Sequence, residues 1–181
     1  KRKYKLISSK PGRSIQMNAG AKLAQGEYLL FLHVDIRFPL KINELLVECL
    51  KENIAFANFK LVFDFEHWFL KLNACFSHST LSPFQFGDQG LWVSKNLFEA
   101  VEGFNEEMEL IEDQDIIRRL KKKSGFIKLD GILSVSSRKY LKHGIFKLQF
   151  VYFYIYFLYQ IGRSQEELKK ELGRLLKIES N

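Results

Sequence analysis

The segment EYLLFLHVD, residues 27–35, limits the possible folds of this chain more than any other part of its sequence. Its apolar residues form a nearly continuous run, which is typical of a strand buried on both faces of a parallel sheet. A Pro-Gly turn and a helix with one apolar side are predicted over 11–26, and an earlier strand is predicted over 4–9. Strand, helix and strand in about thirty residues predict a βαβ unit with a right-handed crossover.

The residues that follow also alternate between helical and extended patterns. Apolar spacing predicts helices at 39–53, 67–80 and 112–125, a short helix closed by Gly103, and strands at 54–65, 91–93 and, as a pair, 126–137. This order predicts an α/β fold with a mainly parallel, Rossmann-like sheet flanked by helices. Ligands of such sheets bind outside the carboxyl ends of the strands, so polar residues there are candidates for a site.

The chain is interpreted as an α/β domain over 1–144 and a C-terminal helical tail over 145–181. The tail begins with an aromatic stretch at 145–161 and continues with an amphipathic helix, where Ser164 and Glu167 form a predicted capping box. The aromatic stretch is marginal for a membrane span, which needs about 20 residues, and its tyrosines suit an interface. It could pack on the sheet, pair with a second copy in a homodimer, or make peripheral contact with a membrane.

The formal charge of +7 fits an anionic partner such as a nucleotide or a phospholipid surface. No nucleic acid is expected as a partner, because basic residues are not interleaved with aromatic residues as in stacking surfaces. Two cysteines, Cys49 and Cys75, form no disulfide framework, and the charged opening residues predict no signal peptide. We therefore expect a cytoplasmic protein, with peripheral contact to the inner face of the membrane as an alternative.

His33 and Asp35, at the end of the strand predicted over 27–35, are candidate ligands. Side chains two apart on a strand point the same way, so both could face one ligand. A carboxylate suits a hard cation such as Mg²⁺ or Mn²⁺, which keeps several waters and binds substrate phosphates, whereas imidazole suits softer metals. A strand that ends in a polar turn is the alternative interpretation.

Three further groups could carry chemistry. Glu112, Asp113 and Asp115 crowd at a predicted helix start, where they could cap the helix or supply a general base. A turn with Gly12 and Arg13 before a helix could hold a diphosphate through backbone N–H groups and a guanidinium. The basic segment after the last predicted strand could clamp a phosphate or form a solvated loop.

Three segments in order, GRSIQMNAGAKLAQGEYLLFLHVDIRFP, GDQGLWVSKNLFEAVEGFNE and IEDQDIIRRLKKKSG, resemble the family 2 glycosyltransferases. The resemblance is greatest to a bacterial subgroup whose strand ends in His-Ala-Asp-Thr rather than Asp-x-Asp, and it covers most of residues 10–165. It implies an A-type glycosyltransferase fold that lacks its N-terminal strands. It also implies inverting transfer of a sugar from a nucleotide-sugar donor to a hydroxyl acceptor, for which a lipid-linked molecule is one candidate.

The resemblance implies a role for each matching residue. Asp35 would bind the divalent cation on the donor diphosphate, with His33 where the family has its first carboxylate, and Asp113 would be the catalytic base. Two further sets are implied: donor-binding residues Gly12, Arg13, Gln16, Asn18 and Arg138, and acceptor-side residues Gly87, Asp88, Gln89, Gly90 and Glu112. The rival interpretations are a nucleotide-sugar nucleotidyltransferase and a non-catalytic scaffold domain without a complete donor pocket.

Overall fold

The computed structural model describes residues 5–38, 41–79 and 87–177. The helices are α1 (Arg13–Leu23), α2 (Ile42–Lys51), α3 (Trp68–Ser77), α4 (Lys95–Ala100), α5 (Glu112–Lys121), α6 (Arg138–His143), α7 (Ile145–Gln160) and α8 (Gln165–Leu176). The strands are β1 (Tyr28–Phe31), β2 (Ile36–Arg37), β3 (Phe56–Phe63), β4 (Leu91–Ser94) and β5 (Ile127–Val135), and a 3₁₀ turn spans Gly87–Gln89. The predicted α/β class is confirmed. The predicted element ends at 4, 39–40 and 80, and the end of the tail at 178–181, lie outside the described residues.

The five strands form one mixed sheet in the order β1-β4-β3-β5-β2. Among the described strands, only β3 and β5 are parallel neighbours and the other three adjacent pairs are antiparallel, so the prediction of a mainly parallel sheet is wrong. The strand β4 runs in the opposite direction between β1 and β3. Consequently β1, β3 and β5 share a direction, and their carboxyl ends meet the start of β4 at one edge of the sheet.

Two predicted strands differ from the observed ones. Residues 5–9 form no strand, so the predicted βαβ unit lacks its first strand among the residues described. The apolar run at 27–35 is a strand only as far as Phe31, because the chain turns at Val34 and Asp35 and returns as β2. A continuous apolar run gives no indication that the chain turns after four strand residues.

The predicted strand pair at 126–137 is instead the single strand β5, whose register with β3 shifts between Phe59 and Lys60. Gly131 lies at this irregularity, and a Cβ atom there would be 2.6 Å from Leu45 Cδ2. The glycine is therefore required by close packing of α2 on β5, and it does not mark a hairpin turn.

The core consists of side chains packed on both faces of the sheet. Helices α1, α4 and α5 pack with β1 and β4, and Phe31 contacts the rings of both Phe98 and Phe104. Helix α2 packs on Phe59 and Trp92 through another cluster. The aromatic helix α7 packs with α3, α6 and α8, so the predicted helical tail is confirmed as helix and one side of it is buried. Within the described ranges, no helix combines the length and apolar content that a membrane crossing requires.

Candidate functional site

A pocket of about 190 Å³ opens between α3, α5 and α7 at the carboxyl end of β3. Its charged wall contains Arg13, Asp88, Glu112, Asp113 and Lys139. Four of these residues were predicted from three distant parts of the sequence, since Glu112 and Asp113 are adjacent, and the fold brings all four to a single pocket.

The pocket borders the start of α5, which follows an unusual backbone conformation. Ile111 has φ 65° and ψ 18°, in the left-handed region that β-branched residues rarely adopt. Its side chain does not cap the helix, and the first turn instead carries three carboxylates, which the positive end of the helix dipole stabilises. Backbone strain of this kind clusters at functional sites, which agrees with a position beside the pocket.

Glu112 is a buried acid at the site. It is only 1% exposed, and the Nε atom of Arg13 lies 3.1 Å from its Oε1 atom. Burial, followed by the neighbouring charge of Asp113, raises the pKa of Glu112 to about 7, although the Arg13 guanidinium opposes that rise. Neither carboxylate oxygen accepts a hydrogen bond of ordinary geometry from another described residue. This carboxyl group therefore exchanges its proton close to neutral pH.

Asp113 is half-buried and lines two neighbouring spaces, the main pocket and a small cavity behind it. His33 and Gly90 line the same small cavity, so the end of β1 and the loop before β4 both lie near this carboxylate. Positive charge on His33 also favours the ionised form of Glu112 and so lowers the pKa of that group. Asp113 is thus placed where it can contact a molecule in the pocket while remaining beside a second acid.

His33 and Asp35 line different spaces, and that both face one ligand remains a prediction. Asp35 lies in the turn between β1 and β2 and lines a separate cleft of about 270 Å³ with Asp64 and Ser136. The expectation rested on strand alternation, and the turn ends the strand before either residue. The negative charge of Asp35 nevertheless adds to the rise in the pKa of a tyrosine that lines the main pocket.

That tyrosine is Tyr152 of α7, which lines the main pocket. Burial and the charge of Asp88 raise the pKa of its hydroxyl group to about 12, with Asp35 adding to the rise and Arg13 opposing it. The four groups therefore interact electrostatically across the pocket. Tyr152 was not predicted as a site residue, because one tyrosine among four in an aromatic stretch carries no distinguishing signal.

A second missed feature is a polar network in the wall of the pocket. The Tyr140 hydroxyl donates to Gln149 Oε1 at 2.8 Å, and Asn73 Nδ2 donates to the same oxygen at 2.5 Å. Gln149 is buried within an otherwise aromatic helix. A buried glutamine in such a helix needs polar partners, so a glutamine within the apolar stretch could have indicated this network.

The loop Gly87–Gly90 divides into an exposed and a buried part. Asp88 is exposed and lines the pocket, as an acceptor-side residue would. Gln89 is fully buried, and its Oε1 accepts hydrogen bonds from Asn58 Nδ2 at 2.8 Å and Lys128 Nζ at 2.7 Å. Burial lowers the pKa of Lys128 to about 7. Gln89 thus anchors the loop from inside, whereas Asp88 faces solvent.

The predicted donor-binding residues differ in their exposure to solvent. Gly12 has φ 129° at the start of α1, and the neighbouring Arg13 side chain is about half exposed. Gln16 and Arg138 are exposed on α1 and α6. The segment after β5 is therefore a short helix and not the solvated loop that was one of its two interpretations. Asn18 is buried, in contrast to Gln16 and Arg138.

The Asn18 side chain is hydrogen-bonded to the loop that precedes α5. Its Nδ2 donates to Phe104 O and Glu106 Oε1, and its Oδ1 accepts from Phe104 N, all at 2.9 Å. We expect Asn18→Ala to lower the free energy of unfolding by about 1–3 kcal/mol, because buried backbone groups lose their partners. Urea unfolding measures this, with the exposed Gln16→Ala as the matched control on the same helix. Unchanged stability of Asn18→Ala would show that these hydrogen bonds do not hold the loop.

Among the residues described, no group of three or more His, Cys, Asp or Glu side chains is placed to hold a metal ion. The sequence matches no known family model, and it has no significant match among curated proteins. The geometry of the pocket and the chemistry of its residues therefore carry the functional argument.

Proposed function

We propose that this protein is an inverting glycosyltransferase that moves a sugar from a nucleotide-sugar to a hydroxyl acceptor, on a Rossmann-like sheet of the A-type glycosyltransferase kind. One observation carries the proposal. Arg13, Asp88, Glu112 and Asp113, from three segments of the chain, line one pocket at the carboxyl end of β3. Ligands of α/β sheets bind at such an edge. The resemblance to family 2 glycosyltransferases supplies the reaction class.

Asp113 is the proposed general base. It removes the proton of the acceptor hydroxyl as that oxygen bonds to the anomeric carbon, while the bond from this carbon to the diphosphate oxygen breaks. The nucleoside diphosphate leaves from the opposite side, which inverts the anomeric configuration. General base catalysis contributes about 10²–10⁴-fold to such reactions, and positioning of both substrates supplies much of the rest.

Arg13 is the proposed donor-side cation. It begins α1, whose N-terminal N–H groups also favour an anion, and Gly12 leaves room for close backbone approach. Gln16 and Arg138 are exposed and are proposed as further donor contacts. Asn18 is left out of this set, because its carboxamide group is hydrogen-bonded to the loop at 104–106.

The described residues suit a Mg²⁺ or Mn²⁺ ion that arrives with the donor. Such ions are bound through one or two carboxylates together with waters and substrate phosphates, and Asp35 offers one carboxylate whose charge acts on Tyr152 in the pocket. His33 lines a different cavity and is proposed to hydrogen-bond the ligand. When bound, the cation offsets negative charge on the leaving diphosphate. Asp35 would hold it, and Asp113 would act on the acceptor.

A panel of UDP-, GDP- and dTDP-sugars tests the reaction class. With Mg²⁺ or Mn²⁺ present, we expect at least one donor to be hydrolysed or transferred, and removal of the cation by EDTA to stop turnover. Formation of a nucleotide-sugar from a nucleoside triphosphate and a sugar phosphate would instead favour the nucleotidyltransferase. Absence of both turnover and nucleotide binding would favour the non-catalytic scaffold.

The role of Asp35 has its own prediction. We expect Asp35→Asn to raise the Mg²⁺ or Mn²⁺ concentration needed for half-maximal turnover by at least about tenfold, since even outer partners of metal ligands have effects of that size. Metal titrations of the initial rate measure it. The matched control is Asp130→Asn, because Asp130 is exposed on β5 and pairs with Lys60. Equal metal dependence in Asp35→Asn and wild type would contradict the assignment.

A further inference from the structure

Helix α7 exposes a row of phenylalanine side chains, which we call the aromatic face: Phe146, Phe150, Phe153 and Phe157. Their exposed fractions are 55%, 67%, 46% and 56%. The spacing of four, three and four residues places them in one stripe along the helix. Phenylalanine is among the residues most often buried, so a continuous exposed row indicates a surface that binds a partner.

The aromatic face continues onto the neighbouring helix α3. The ring of Trp68 on α3 lies 5.9 Å from that of Phe146, and Trp68 is 66% exposed. Leu141 on α6 and Ile161 after α7 are each 55% exposed. Tryptophan is enriched at membrane–water interfaces, where its ring lies at the level of the headgroups. The apolar surface therefore extends from α7 onto α3.

The charges on α6 and α7 have one sign. Acids of neighbouring elements are paired with cations: Glu66 lies 3.5 Å from Lys71 and Glu167 lies 2.9 Å from Arg163. Residues 131–165 contain no aspartate or glutamate. The basic residues in that segment are Arg138, Lys139, Lys142, Lys147 and Arg163. Lys142 and Lys147 are exposed within five residues of Phe146. A row of apolar rings flanked by cations complements an anionic phospholipid surface, because rings enter the interfacial region while cations attract the headgroups.

The same charges disfavour a second copy of the chain as the partner. In a symmetric dimer the same surface of each subunit enters the interface, so the cations around both aromatic faces would be brought together. Like charges brought together across an interface are unfavourable, and the chain as a whole carries +7.

We propose that the aromatic face docks on the surface of an anionic phospholipid membrane, with α7 lying parallel to it. The helix has 16 residues and is about 24 Å long, and its other side is already packed through Leu148, Val151, Ile155 and Leu158. It can therefore bind without leaving the fold.

Docking would also bring the pocket close to the membrane. Gln149, Tyr152 and Tyr156 of α7 line the pocket, whereas the aromatic face is on the exposed side of the same helix. A helix with its side chains is about 10–12 Å across, so the pocket would lie about one helix diameter from the headgroups. Membrane docking is a separate inference from glycosyl transfer, and either can fail alone.

Vesicle flotation tests the proposal with the full chain. We expect the protein to float with vesicles that contain phosphatidylglycerol and phosphatidylcholine, to bind pure phosphatidylcholine more weakly, and to dissociate as salt is raised. Absence of binding to the anionic vesicles at low salt, with the protein folded by circular dichroism, would overturn the proposal.

Variants locate the binding surface. The pair Phe150→Ser and Phe157→Ser should lower vesicle partitioning at least about tenfold, because two exposed rings no longer enter the interface. The matched control is Val47→Ser with Leu50→Ser on α2, whose side chains are 48% and 47% exposed. It should bind as wild type does. Equal loss in both pairs would overturn the assignment to α7.

A charge variant and the oligomeric state complete the test. Lys142→Glu with Lys147→Glu should weaken binding to anionic vesicles and reduce its salt dependence. Light scattering after size exclusion should show a monomer. A stable dimer that becomes monomeric in the Phe150→Ser and Phe157→Ser variant would overturn the proposal, since a second copy would then occupy the aromatic face.

Discussion

Replacement of Asp113 with asparagine should lower the rate of sugar transfer by about 10²–10⁴-fold while leaving donor affinity nearly unchanged. The amide cannot accept the acceptor proton, but it has almost the same shape as the carboxylate and disturbs packing little. Single-turnover kinetics measures the transfer step, and calorimetry with the donor measures binding. Loss of donor binding in Asp113→Asn would remove Asp113 from the role of base.

The same substitution two residues later is a matched control. Asp115 is buried, and its oxygens accept hydrogen bonds from Arg118 Nη2 at 2.9 Å and Arg119 Nε at 2.8 Å. Arg119 in turn donates to Gly103 O at 2.7 Å, which ties α5 to the end of α4. Asp115→Asn should therefore reduce stability, by about 1–3 kcal/mol, and retain turnover in the folded protein. A comparable loss of turnover in both variants would mean that Asp113 supports turnover only by stabilising the fold.

Replacement of Glu112 with glutamine should remove most of the fall in stability between about pH 4.5 and 7. The pKa of Glu112 is raised from its ordinary value of 4.5 to about 7 in the folded protein. Between these values the folded state binds more protons than the unfolded state, so the free energy of unfolding falls as pH rises. The free energy of unfolding falls by roughly 3 kcal/mol across this range, and the fall is complete above about pH 7. Glutamine has no proton to lose in this range.

Urea unfolding at pH 5 and pH 8 measures this difference. Wild type should be less stable at the higher pH, and Glu112→Gln should show a much smaller difference. Arg13→Ala should enlarge the difference, because the guanidinium lowers the pKa of Glu112 and its removal leaves a buried charge unpaired. Glu107→Gln, at an exposed position on the same chain segment, is the control. Equal pH dependence in Glu112→Gln and wild type would contradict the prediction.

Local sequence signals predicted most of the helices and one long strand. The alternating residues 54–65 contain β3, and the periodic segment 112–125 contains α5, with acids at its start and bases at its end. Ser164 and Glu167 form the predicted capping box. These features follow from interactions between residues a few positions apart, and such interactions are readable in a single sequence.

Strand direction was not readable in the same way. A strand in the middle of a sheet is apolar whichever way its neighbours run, so the run that became β1 could not reveal its antiparallel partner β4. Nor could it reveal the turn at Val34 and Asp35, which sends His33 and Asp35 to different cavities. Direction and turns depend on how distant segments pack together.

The residue types at the candidate site also did not show which side chains face the pocket and which are buried. Arg13, Asp88 and Asp113 were predicted and do line the pocket, yet Asn18 and Gln89 were predicted beside them and are buried anchors of loops. An amide that holds a loop and an amide that contacts a ligand look the same in sequence. Burial and hydrogen-bond partners distinguish them, and both are properties of the fold.

By itself, the sequence determined the α/β class, the acids and bases available for chemistry, and the acid-free basic segment at 131–165. Only the tertiary structure decided that β4 separates β1 from β3, that Glu112 is buried against Arg13, and that the aromatic face remains exposed. The physical reason is the separation along the chain between the residues that interact. Periodicity and capping act between neighbours along the chain, whereas strand order, burial and the shifted pKa of Glu112 arise from contacts between residues far apart in sequence.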